Sequence, residues 1–111
     1  MNISIKATNT TLTDAIRSNI EDKVRILEKF MRPEDKVHIE LAEDTHHNSG
    51  KFSRVEIRIT PHGHYADSMG NDFYEALDLV IPKIKQQLSK SKDKDISLRR
   101  KIGNLFKRNR N

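Results

Sequence analysis

Lys83, Gln87, Lys90 and Lys94 stand at i, i+4, i+7 and i+11. On a helix, at about 100° per residue, the four form one stripe. No carboxylate falls within it, and Asp93 points elsewhere. Lysine contacts phosphate as a point charge without reading bases, so this stripe is a candidate phosphate-contacting face. Lys92 falls near the apolar edge of the same helix, where its stem can lie on apolar surface while its ammonium reaches water. The pattern equally suits a solvated helix end, where lysine complements the helix dipole.

Other reactive residue types lead to less. Five histidines raise the question of a metal. His46 and His47 share a loop, and His62 and His64 flank Gly63, so on a strand they face one side. Zinc needs three or four ligands and carboxylates to orient them, so solvated histidines fit better and no metal site is expected. Asp44 near His46 and Asp67 near Ser68 are possible dyads, but no nucleophile elbow or phosphate loop accompanies them. No catalytic residue is expected. The absence of cysteine excludes disulfides, thiolate metal sites and iron–sulfur clusters. Four glycines and three prolines leave no glycine-rich nucleotide loop, so no cofactor is expected. Tyr65 and Tyr74 are too few for a base-stacking platform.

The elements that must position the lysines follow from periodicity. Ile3, Ile5 and Ala7 alternate with polar neighbours and predict a strand. Leu12, Ile16, Ile20, Val24, Leu27 and Met31 predict a helix over 12–31, capped by Thr11 and stopped before Pro33. Val37, Ile39 and Leu41 predict a strand near 36–43, with a loop over 44–50. Phe52, Val55, Ile57 and Ile59 predict a third strand, and residues 64–69 a short fourth after the Pro61-His62-Gly63 turn. Phe73, Leu77, Val80, Ile81, Ile84 and Leu88 predict a second helix over roughly 72–94, kinked near 78–82 by Pro82. The fold class is α+β, in the order β-α-β-β-β-α. A four-stranded mixed sheet is expected, with both helices packed on one face.

The chain has 111 residues, 34% of them hydrophobic, which suits one thin-cored domain. The net charge of +5 is unevenly placed. Residues 1–78 hold 10 basic and 14 acidic side chains, and residues 79–111 hold 11 and 2. Residues 1–94 read as the folded domain and 95–111 as a basic tail, disordered or a short amphipathic helix carrying Leu98, Ile102, Leu105 and Phe106. No apolar run approaches the ~20 residues of a membrane span, and the N-terminus lacks a signal-peptide pattern. No membrane partner and a cytoplasmic location are expected.

Phe73-Tyr74-Glu75-Ala76-Leu77-Asp78, Lys83, Gln87-Leu88-Ser89-Lys90 and Lys92-Asp93-Lys94 together resemble the second helix of the ribosome hibernation-promoting factors. That family includes the ribosome-associated inhibitor also called protein Y, and was once labelled sigma-54 modulation proteins. Asn2-Ile3-Ser4-Ile5, Thr13-Asp14-Ala15-Ile16-Arg17, and Lys23 with Leu27-Glu28-Lys29-Phe30 resemble its first strand and helix. The likeness runs from residue 1 to about 94. It implies a fold like that of double-stranded RNA-binding domains, and binding to the small ribosomal subunit in the tRNA and mRNA channel. It implies translation inhibition in stationary phase or stress, with no enzymatic activity. Lys23, Lys83, Gln87, Lys90, Lys92 and Lys94 would then contact ribosomal RNA, and Arg99, Arg100 and Lys101 in the tail are candidates for further contact. Ile26 and Gln86 stand where relatives often carry a basic residue. A monomeric short form is expected, which in some bacteria works with a separate ribosome modulation factor. Two other readings stay open: a generic double-stranded RNA-binding module, and a His-dependent metal hydrolase.

Overall fold

The computed structural model describes residues 2–46 and 50–108, with side chains described for 2–43 and 52–92. The elements are β1 (Asn2–Thr8), α1 (Asp14–Arg25), a 3-10 turn (Glu28–Phe30), β2 (Lys36–His46), β3 (Gly50–Thr60), β4 (His64–Gly70) and α2 (Phe73–Arg108). The sheet order is β1-β2-β3-β4. β1 runs parallel to β2, with Ile5 opposite Ile39, and the other pairs are antiparallel. The β-α-β-β-β-α order and mixed sheet match the periodicity.

Strand alternation puts one set of side chains on each face. Val37, Ile39 and Leu41 of β2 and Val55, Ile57 and Ile59 of β3 are buried. Ile20 and Val24 of α1, Leu27 after it, and Leu77, Val80, Ile84 and Leu88 of α2 complete the same core. Both helices thus cover one face. Each fully buried aliphatic chain stabilises the layer by about 1.5–3 kcal/mol.

The first helix is shorter than its apolar spacing predicts. Thr13 caps it rather than Thr11, accepting from the Ile16 N–H at 3.2 Å. The chain turns at Asn9, in the left-handed region at φ 56°. Leu12 then packs half-buried on the core, so winding starts after it. Past Arg25 the backbone tightens, with Leu27 N–H bonded to the Val24 carbonyl and Phe30 N–H to that of Leu27, each at 2.9 Å. A tighter turn keeps Leu27 in the core beyond the point where the α-helix ends. β2 extends to His46 and β3 starts at Gly50, so the hairpin is longer than expected, and residues 47–49 lie outside the described ones.

Asp72 starts the second helix, its Oδ1 accepting from the Glu75 N–H at 2.8 Å. Gly70 makes this start possible. A Cβ there would lie 2.7 Å from the Ala76 nitrogen. Gly70→Ala is therefore expected to lower stability by about 1–3 kcal/mol in urea unfolding; an unchanged midpoint would show that the helix start yields freely. Pro82 lies inside α2 and is exposed. It removes the N–H that would reach Asp78, yet the helix continues past the expected end near 94 to Arg108. Gly103 lowers helix propensity by about 1 kcal/mol without ending it. No described helix is long and apolar enough to cross a membrane.

Candidate nucleic-acid interface

α2 lies along the outer margin of β4, and the lysine stripe meets that margin. Gln87 spans both backbone groups of Tyr65: its Oε1 accepts from the N–H at 3.1 Å and its Nε2 donates to the carbonyl at 2.6 Å. One helical turn earlier, Lys83 Nζ donates to the Asp67 carbonyl at 3.0 Å. The i, i+4 spacing of the helix thus matches the i, i+2 spacing of the strand. Gln87, expected to contact phosphate, here satisfies strand backbone. Lys90 is exposed on the same flank and has no polar partner among the described residues.

Lys23 and Lys92 do not join this flank. Lys92 stands nine positions past Lys83, which is half a helical revolution away at about 100° per residue. Its ammonium donates to the Lys29 carbonyl at 2.9 Å, on the side of α2 that faces α1. Lys23 of α1 pairs with Asp78 of α2 at 3.0 Å. The expected single face is therefore two cationic flanks, one against β4 and one in the seam between the helices. The physical reason is the apolar stripe of α2, which separates them.

Two residues of the seam were missed by the stripe argument. Lys29 and Lys85 lie 5.2 Å and 5.7 Å from the centroid of the Phe30 ring, within cation–π range. Lys85 had a legible signal, since it precedes Lys92 by seven residues. Lys29 had none, because the 3-10 turn that carries it reads as helix. The helical backbone includes Lys94, Arg99, Arg100 and Lys101, but their side chains lie outside the described ones.

The opposite face of the sheet balances its charges. Arg54 Nη2 donates to Asp67 at 2.8 Å and pairs with Glu56 through Nη1. The Asp67 hydrogen bond, helped by Glu56, holds the Arg54 guanidinium above its ordinary value despite burial. The Tyr65 phenol is pushed up by burial and by donating to Glu56 at 3.1 Å. The histidines expected to share a strand face divide. His62 lies in the turn after the cis Thr60–Pro61 bond, with Nδ1 2.8 Å from Asp35 and Nε2 2.7 Å from Arg32. His64 opens β4. Among the described residues no group of three or more His, Asp or Glu is placed to hold a metal. His46 and His47 lie outside the described side chains.

Residues 3–96 match the family described as sigma 54 modulation protein / S30EA ribosomal protein. The chain belongs to that family. Among its relatives is the ribosome hibernation promotion factor of Staphylococcus aureus, 32% identical over 90 residues, which are 79% of this chain and 46% of the relative. The chain thus spans about half the length of that family member. In structure it is similar to the protein Y N-terminal domain of Thermus thermophilus, with TM-score 0.67 and 25% identity over 81% of this chain and 98% of that one. It shares its fold with a ribosomal subunit interface protein of Coxiella burnetii, with TM-score 0.62 and 23% identity over 84% of this chain and 99% of the other. The family match ends at residue 96, whereas α2 continues to Arg108.

Proposed function

We propose that this chain binds the small ribosomal subunit through ribosomal RNA and silences translation by occupying the tRNA and mRNA channel. The observation that carries the reading is the pair of cationic flanks on α2, inside the stretch that matches the family. Lys83 and Lys90 serve one flank, and Lys85 and Lys92, with Lys23 of α1 and Lys29 of the 3-10 turn, the other; Lys94 is a further candidate whose side chain lies outside the described ones. Phosphate contacts supply affinity, and the shape of the ribosomal groove supplies specificity, because nothing in this arrangement reads bases. The protein acts sterically and not as an enzyme, as a cytoplasmic monomer. Residues 1–94 form the ribosome-binding domain. Arg99, Arg100 and Lys101 extend the RNA contact along the continued helix, and a separate ribosome modulation factor is a candidate co-factor of the assembly.

The rival reading is a generic double-stranded RNA-binding module, favoured by the same element order. Competition separates them. Labelled protein bound to small subunits is expected to resist a random RNA duplex and to be displaced by unlabelled subunits. Equal affinity for the free duplex would replace the ribosome reading with the generic one.

A further inference from the structure

Asp78, in the seam between the helices, carries one acceptor that its own fold leaves open. Pro82 stands four residues on, inside α2, and has no N–H. The helical bond that would end on the Asp78 carbonyl is therefore not made. No side-chain donor reaches that carbonyl among the described residues. Asp78 and Pro82 are both exposed. Two neighbouring acceptors of the seam are taken. The Asp78 carboxylate pairs with the Lys23 ammonium at 3.0 Å, and the Lys29 carbonyl accepts from Lys92 at 2.9 Å. Asp78, Pro82, Lys85 and Lys92 fall within about 80° of one another around the helix, so the open carbonyl stands in a row of cations.

Ammonium groups only donate, so a face made of lysine alone binds the phosphates of DNA and RNA alike. The ribose 2′-hydroxyl is the group that tells RNA from DNA, and its proton needs an acceptor. We propose that the open Asp78 carbonyl accepts a hydrogen bond from a ribose 2′-hydroxyl, while Lys23, held beside it by the Asp78 carboxylate, contacts a phosphate of the same strand. Pro82 is thus a specificity-determining residue. It keeps an N–H from closing the acceptor, at a cost in helix stability. With Lys23 bound to it, the carboxylate does not stand as a bare negative charge in the row. This inference rests on RNA being the ligand of the seam, as proposed above, and not on the ribosome being its source.

The test measures binding of the full chain, by fluorescence anisotropy at low salt, to two labelled duplexes of one sequence and about 16 base pairs, one RNA and one 2′-O-methyl RNA. The methylated duplex keeps the A-form groove and lacks the hydroxyl proton. The unmodified RNA is expected to bind about threefold to tenfold more tightly, the worth of one hydrogen bond. Pro82→Ala supplies the missing N–H. It is expected to bring the two duplexes to equal affinity while raising the melting temperature. Asp78→Asn keeps the backbone carbonyl and is expected to keep the preference. Equal binding of both duplexes by the unaltered chain overturns the proposal. So does a preference that survives in Pro82→Ala, or one that is lost in Asp78→Asn. The expected preference in a chain that fails to co-sediment with small subunits would overturn the ribosome reading and support this one.

Discussion

Lys83→Glu combined with Lys90→Glu is expected to abolish co-sedimentation of the protein with small ribosomal subunits. Each lysine that contacts a phosphate releases about one counterion, so losing two should lower the slope of log affinity against log salt by about 2. Charge reversal adds repulsion, and the affinity should fall by about a hundredfold or more at moderate salt. The two positions are not equivalent. Lys83 donates to the Asp67 carbonyl, so its replacement also removes a bond that steadies β4, worth about 1 kcal/mol. Lys90 touches no polar group among the described residues, so Lys90→Glu alone separates affinity from stability. Unchanged sedimentation of both variants would remove this flank from the RNA contact.

The second large effect is on stability. Leu77 is 1% exposed, where α2 meets the sheet. Leu77→Ala is expected to cost about 2–5 kcal/mol, the sum of lost transfer energy and the cavity left behind. Domain stabilities lie near 5–15 kcal/mol, so this one truncation removes a large fraction. Urea denaturation followed by circular dichroism measures it. A loss below about 1 kcal/mol would mean that the helix settles onto the sheet and refills the space.

The apolar alternation was decisive for the sheet. Val37-Ile39-Leu41 and Val55-Ile57-Ile59 have the same period and are all buried, so the buried face followed from type alone, whereas the register came only with the structure. The Pro33 stop marked the end of the α1 region but not where the helix tightened, because α and 3-10 turns place apolar residues at nearly the same spacing. Thr11 and Thr13 have the same capping chemistry, and only the packing of Leu12 chose between them. The lysine stripe was legible as a stripe. Its environment was not, since a helical wheel shows which residues share a side and not what lies beside it. Gln87 was therefore read as a phosphate contact, whereas its amide bonds strand backbone. Lys92 was read near the apolar edge, and its ammonium reaches the Lys29 carbonyl in the helix seam.

The Gln87 and Lys83 bonds to β4 also bear on how copies of this chain can assemble. A filament that grows by adding strand to strand needs two open margins on every copy. Here the β4 margin is occupied by side chains of the same molecule. The β1 margin, Asn2–Thr8, has no such cover among the described residues. Strand addition there ends at a pair, because the second copy brings its own closed margin to the outside. Gln87 and Lys83 together thus hold backbone groups of β4 that an added strand would need.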